Sequence, residues 1–236
     1  MTNLDELEEN YSNKIHSWKN DDNAQYYENL PNGTLQNFAK LGGLDTYCDL
    51  ELIRPHIMQA NSILEVAAGY GRVLDGLIQM GYQNKIVAIE RCEKFYPLLK
   101  KYSEKNPAIT TVHSDIRTFN PNEKFDLILW LWSGMCDFTR EEQSSILKNL
   151  ALQLHPKGIM ILETMPCSVI PKNAVCSIER LSVIHGGRNS YLYVYTPSLA
   201  EVDNYAKNLG LKVQHIPYLT PTNRPRILHV LSQHTI

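Results

Sequence analysis

Ile63-Leu-Glu-Val-Ala-Ala-Gly-Tyr-Gly-Arg-Val-Leu74 is the stretch on which the fold turns. A short apolar run, Ile63 to Val66, breaks into a turn of small residues that opens an amphipathic segment, the pattern of a strand passing through a tight loop into a helix. In a doubly wound sheet such a turn faces the crevice at the carboxyl ends of the strands, where ligands bind, and its small residues let the backbone approach a ligand closely. Ala-x-Gly-x-Gly also arises wherever a helix packs tightly on a strand, so the turn by itself leaves a purely structural reading open.

Downstream, short apolar runs alternate with amphipathic segments, which predicts βαβ units and a parallel sheet. The runs are Ile63 to Val66, Lys85 to Ile89, Ile109 to Val112, Phe125 to Leu131 and Gly158 to Leu162. Helices are predicted from Arg72 to Met80, from Glu93 to Lys105 and from Arg140 to Leu154. The last opens on the capping box Thr139-x-x-Glu142, with Ile146, Leu147, Leu150, Ala151 and Leu154 on its inner face. Ser177 to Tyr195 predicts two strands around His185-Gly-Gly-Arg188, and Ser198-x-x-Glu201 caps a further helix ended by Gly210. The final strands, Lys212 to Leu219 and Arg226 to Ser232, are joined by too short a link to be anything but antiparallel. Pro217 lacks a ladder donor and puts the first of them at the sheet's edge.

Upstream, Leu4, Leu7, Tyr11, Ile15 and Trp18 predict a short amphipathic helix. Lys19 to Gly43 is polar and turn-rich and is expected to be loosely structured. A second helical stretch should run from Asp45 to about Arg54, because the residue before Pro55 is pushed out of the α region. The organisation expected is an N-terminal helical extension or lid over residues 1–61 and a sheet domain over 62–236, with a strand hairpin inserted at about 177–195.

The chain has 236 residues, 43% of them apolar, which suits one globular domain with an extension. Its 23 basic and 25 acidic residues leave a net charge of −2, no footprint for wrapping nucleic acid or an anionic membrane. The longest apolar stretch, Leu127 to Trp132, is far short of a bilayer span, and the acidic start is unlike a secretory signal, so a cytoplasmic location is expected. Five cysteines, at 48, 92, 136, 167 and 176, fit neither a disulfide framework nor a metal clip, and no metal is expected.

Glu65, Glu90 and Asp115 lie 25 residues apart, one βα unit each, and so should fall along one rim at the strand ends. An acid after the second strand is where a doubly wound fold presents a carboxylate to ribose hydroxyls. With these positions the chain resembles the class I S-adenosylmethionine (SAM) dependent methyltransferases, over about Ser62 to the C-terminus. Glu65-Val-Ala-Ala-Gly-Tyr-Gly71 is similar to that family's first motif, and Glu90 and Asp115 to its second and third acidic positions. The resemblance implies a Rossmann-like α/β fold: a doubly wound, seven-stranded, mostly parallel sheet with a C-terminal antiparallel hairpin and helices on both faces. It implies that Glu90, with Arg91 beside it, binds the ribose hydroxyls, that Asp115 meets the adenine amino group near the Ile116 amide, and that Gly69 and Gly71 line the methionine and ribose portion. Trp130 and Leu131 match the place whose backbone meets the methionine amino group. Ala67 stands where the family has its first glycine, which makes the turn less permissive. A dinucleotide is the rival ligand, but its third glycine falls on Arg72, and with it a dinucleotide oxidoreductase is disfavoured.

The implied activity is transfer of the methyl group of SAM to a small-molecule acceptor, with S-adenosylhomocysteine as product, by a monomer or homodimer. The alternatives are a SAM-binding sensor or partner subunit without turnover, and a methyltransferase of a protein or RNA. Aromatic groups against the sulfonium would come from Trp130, Trp132 or the tyrosines of the extension, Tyr11, Tyr26, Tyr27 and Tyr47, of which Tyr47 is favoured. An amine or hydroxyl acceptor needs a base, for which Asp137, Glu163 and His185 are candidates, each with a bland role as cap, strand end or turn residue. Cys136 and Cys167 are expected to be incidental thiols, Arg188 a possible anchor for an anionic acceptor, and nucleic acid an improbable partner given the charge balance.

Overall fold

The structure, a computed structural model, describes Trp18 and residues 20–171, 174–178, 180–186 and 190–233. The predicted helix over Leu4 to Trp18, with Tyr11, lies outside them except for Trp18, and Arg188 lies outside them too. The decisive run forms β1 (Ser62–Val66), the centre of a sheet with β2 (Lys85–Glu90), β3 (Ile109–His113), β4 (Phe125–Trp130), β5 (Leu154–Thr164), β9 (Lys212–Leu219) and β10 (Pro225–Ser232). The order is β3-β2-β1-β4-β5-β10-β9. The first five strands are parallel, while β10 runs antiparallel to both β5 and β9. This is the expected doubly wound sheet with an antiparallel pair at one end. Pro217 lies on the edge strand β9, where a missing donor costs no ladder bond.

The central strands are apolar throughout because both faces are covered. Leu64, Val66, Val87, Ile89, Ile128 and Leu162 face one core, closed by Ile146, Leu147 and Leu150 of α7 (Arg140–Leu152) and by Tyr205 and Ala206 of α8 (Leu199–Asn208). Their neighbours Ile63, Ile86, Ala88, Leu127, Leu129 and Ile161 face the other, closed by Leu74 and Leu77 of α5 (Arg72–Gln79) and Leu99 of α6 (Tyr96–Lys105). Both predicted capping boxes are present, at Thr139 with Glu142 and at Ser198 with Glu201.

Three expectations are corrected. Lys19 to Gly43 is not loose: it contains α1 (Asn20–Asn29) and α2 (Thr34–Gly42). Helix α1 carries little apolar pattern. It is held by polar bonds, since the Asn23 side chain donates to the Asp137 and Tyr193 carbonyls (both 2.9 Å) and accepts from the Tyr193 amide (2.8 Å). The stretch after Asp45 does not stop at Arg54. Tyr47, with left-handed φ (57°), leads into α3 (Cys48–Leu52), Ile53 separates α3 from α4 (Arg54–Gln59), and Pro55 sits in the first turn of α4, where its missing N–H is no loss. The insertion is three strands instead of two: β6 (Ala174–Ile178), β7 (Leu181–His185) and β8 (Tyr191–Tyr195) form a separate antiparallel sheet in the order β6-β7-β8. The turn before β7 uses Arg180 at φ 70°, with no glycine to announce it.

Among the described residues no helix is long and apolar enough to cross a membrane, and Cys48, Cys92, Cys136 and Cys167 are free of disulfides.

Candidate active site

A cavity of about 580 Å³ opens at the carboxyl ends of β1, β2 and β4, within the size range of small-ligand sites. Its floor is the turn after β1, which needs left-handed backbone at Ala67 (φ 56°), Gly69 (57°) and Gly71 (96°). Ala67 adopts the conformation its glycine-like position requires and bears the strain, while a Cβ at Gly71 would stand 2.6 Å from the Tyr102 ring. Gly69 and Ala67 line the cavity; Gly71 turns away to open α5.

Glu65 lines the floor with 3% of its surface exposed, and its Oε2 has no hydrogen-bond partner. Burial raises its pKa to about 8, against the pull of Arg72. Glu90, at the end of β2, accepts from the Gly69 amide (Oε2, 2.8 Å) and the Cys92 amide (Oε1, 2.7 Å). Burial raises its pKa, and these amides oppose the shift. Each of its oxygens keeps a further lone pair for a ligand hydroxyl.

The Asp115 side chain is already engaged by protein partners. Ser114 and Ile116 line the cavity, but the Asp115 carboxylate is taken up by Arg117 (Nη2, 2.7 Å) and Arg91 (3.2 Å). Burial works to raise its pKa, and the two arginines outweigh burial and lower it. The same arginines reach Asp21 of α1, Arg117 at 2.6 Å and Arg91 at 3.2 Å. Four charges therefore clamp α1 to the ends of β2 and β3. Arg91 is both cavity wall and clamp.

At the end of β4, Trp130 is wholly buried beneath the wall, edge-on to Phe138 (centroids 5.5 Å apart), and Leu131 reaches the cavity. Trp132 and Ser133 then both adopt left-handed backbone, φ 52° and 58°, a strained pair of the kind that collects at functional sites. Glu163, fully buried, holds this bend: it accepts from the Trp132 amide through its side chain and from the Ser133 amide through its carbonyl (3.1 Å). It also accepts from Tyr218 and from Arg226 Nε (2.7 Å), and despite burial Arg226 keeps its pKa below the ordinary value. With every oxygen engaged, Glu163 is a structural anion and not a free base.

His185 is exposed, tilted against Tyr191 with centroids 5.3 Å apart, and off the cavity wall that its neighbour Ile184 forms. Tyr47 is also off the wall, its hydroxyl accepting from Gln79 (3.1 Å). Cys136 is fully buried, burial pushing its thiol up to about 12, and Cys167 lies off the wall between Met165 and Pro171, which line it.

Of the base candidates, Asp137 stands on the wall. It ends the 3-10 turn Gly134–Asp137, and Tyr27 of α1 donates to its Oδ2 at 2.5 Å. Burial raises its pKa to about 7, and the Tyr27 bond pulls the other way. Asn20 and Asn23 both donate to its backbone carbonyl (2.8 and 2.9 Å), so the extension fixes the turn that carries the carboxylate. Opposite, Ile184, Leu192 and Val194 of the small sheet give an apolar wall. Tyr27 was one of several extension tyrosines in the sequence. Arg226 was only the start of a strand, and no local signal marks it as part of the site.

The residues fit a SAM-like ligand. The orphaned carboxylate oxygen of Glu65 suits a buried ammonium, Glu90 suits vicinal hydroxyls, and around Gly69 a Cβ would meet only Leu35 at 3.9 Å, so backbone lies open to close approach.

Residues 63–158 match the family model of a methyltransferase domain. No curated protein matches the chain. Similar solved structures include CalS10, an amino pentose methyltransferase of Micromonospora echinaspora bound to SAM, at 17% identity over 86% of this chain and 98% of that one (TM-score 0.62). DesVI of Streptomyces venezuelae is similar at 18% identity over 85% and 98% (TM-score 0.62). The glycopeptide N-methyltransferase MtfA is similar at 14% identity over 80% and 90% (TM-score 0.63). Residues 63–158 thus match a methyltransferase domain, and the chain has the Rossmann-like fold of these solved SAM-dependent methyltransferases.

Proposed function

We propose that this protein methylates a small-molecule acceptor at nitrogen or oxygen, with Asp137 as the proton acceptor. The observation that carries the reading is the Asp137–Tyr27 pair on the wall of a cavity whose floor bears Glu65, Gly69 and Glu90. Bound SAM supplies a methyl group on a sulfonium centre, open to in-line displacement. Glu65 would receive its ammonium, Glu90 its ribose hydroxyls, and Ser114 and Ile116 would flank its base. Asp137 Oδ1, which carries no bond from Tyr27, would take the proton from the acceptor, and the Tyr27 hydroxyl would hold the carboxylate in place and favour its charged form. A base with its pKa near 7 is well matched to neutral conditions. Helix α1 and the small sheet would exclude water and fix the acceptor's approach, which is the larger share of catalysis where no covalent intermediate is needed.

One of the similar structures is a glycopeptide N-methyltransferase, which supports nitrogen as the accepting atom. The test is incubation with SAM and a panel of small amines, phenols and alcohols, following release of S-adenosylhomocysteine. Release with one chemical class and its loss in Asp137→Ala is the expected result. Tight SAM binding with no release over a broad panel would favour a sensor or partner subunit.

A further inference from the structure

We infer that the acceptor carries a carboxylate, held by Arg226 and Ser133. This rests on the methyltransferase reading and names the substrate class of the same site.

Three arginines line the cavity, Arg72, Arg91 and Arg226, and they differ in what they have left to offer. Arg72 closes both terminal nitrogens on Asp49 (2.6 and 3.0 Å), and its remaining Nε is sealed away from solvent without a partner. Arg91 is spent on Asp21, Asp115 and the Asn20 carbonyl. Arg226 gives Nε to Glu163 (2.7 Å) and Nη2 to the Ser133 hydroxyl (3.2 Å). Its side chain is 8% exposed, yet its Nη1 makes no hydrogen bond among the described residues and is not among the sealed polar atoms. Nη1 is therefore accessible, on a residue that lines the cavity. Ser133 lines the cavity as well, and since its oxygen accepts from Arg226 its own proton is free to donate in the same direction. Arg226 and Ser133 together present two donors on a buried wall, an arrangement suited to one carboxylate.

Arg226 reaches the cavity from the far side of the sheet, while Ser133 follows β4 beside the turn after β1. Glu65, Gly69 and Glu90 belong to β1 and β2, whereas Arg226 is on β10, which lies beyond β4 and β5 on the other side of β1. Met165 and Pro171 line the cavity after β5, so the surroundings at this end are apolar. An acceptor with an apolar body and a carboxylate fits that end, and the left-handed pair Trp132 and Ser133 is the strain that turns the hydroxyl inward. A phosphate, with its second charge, would find one open guanidinium edge and no further cation uncommitted among the lining arginines.

The experiment uses protein saturated with S-adenosylhomocysteine and titrated calorimetrically with phenylacetate, its uncharged amide phenylacetamide, and phenyl phosphate. The expected result is phenylacetate binding about tenfold or more tighter than the amide, the worth of a hydrogen-bonded charge pair. Arg226→Lys keeps a cation beside Glu163 and removes the open edge. It should erase the preference while leaving S-adenosylhomocysteine affinity within about twofold, since the edge touches only the acceptor. Ser133→Ala, which leaves the Arg226–Glu163 pair intact, should reduce the preference severalfold and serves if the lysine variant does not fold. Equal binding of acid and amide by the native protein overturns the inference, as does tighter binding of phenyl phosphate. So does an Arg226→Lys variant that weakens S-adenosylhomocysteine and keeps the preference, because the edge would then belong to the methionine carboxylate. A native protein that binds no S-adenosylhomocysteine overturns the methyltransferase reading itself, and is told apart because it fails before any acid is added.

Discussion

Replacing Tyr27 with Phe removes one hydroxyl and should move the pH dependence of the whole reaction. In the native protein Asp137 titrates at about 7, burial raising it and the 2.5 Å bond from Tyr27 holding it down. A hydrogen bond to a charged group contributes about 1.5–3 kcal/mol, and about 1.4 kcal/mol is one pH unit, so losing it should raise the Asp137 pKa by about 1–2 units. A base must be ionised to act. At pH 7 the native carboxylate is about half ionised and the variant's only a few per cent or so, which gives roughly a 5- to 50-fold loss in kcat/KM. The loss should vanish as pH rises past 9. The assay is S-adenosylhomocysteine release against pH for both proteins, with the midpoint as the readout, because a merely structural loss would lower the curve without displacing it. A midpoint unmoved in Tyr27→Phe would refute the assignment of Asp137 as base.

Asp137→Asn should abolish turnover and yet stabilise the fold by up to about 4 kcal/mol at pH 8, since the folded protein no longer holds a charge in a poorly solvated place. The sign follows from the raised pKa: between 3.8 and about 7 the folded state binds the extra proton, so native stability falls as pH rises through that window, and the gain is absent below about pH 4. Thermal unfolding at pH 4 and pH 8 checks it. Ala67→Gly should stabilise by roughly 0.5–1 kcal/mol, because relief of left-handed strain exceeds the glycine's added chain entropy. Urea unfolding reads this, and a loss of stability would contradict it. Gly71→Ala should cost about 2–4 kcal/mol, since its φ is 96° and the new Cβ would stand 2.6 Å from the Tyr102 ring.

The sheet was legible because its strands are buried on both faces and so read as unbroken apolar runs, and because Glu65 and Glu90 recur at the spacing of one βα unit. The capping boxes were legible because donor and acceptor lie three residues apart. What escaped is held by partners distant in sequence. Helix α1 has no apolar stripe to betray it, and its anchor, Asn23, bonds to Tyr193 across 170 residues. The engagement of Asp115 depends on Arg117 beside it and on Asp21, 96 residues from Arg117, so its motif position alone does not disclose these partners. Arg226 joins the site through Glu163 and Ser133, 63 and 93 residues away. Tyr47 was placed near the first strand by sequence, and the left-handed turn at that residue directs the chain toward α5 instead.

On the proposed reading the floor after β1 and the carboxylate of Glu90 would form the cofactor's seat. Calorimetric titration with S-adenosylhomocysteine tests it most directly, on the native protein and on Glu90→Ala with its folding checked by circular dichroism. One-to-one binding by the native protein, lost in a folded Glu90→Ala variant, is the result expected. No binding by the native protein, or undiminished binding by the variant, would contradict it.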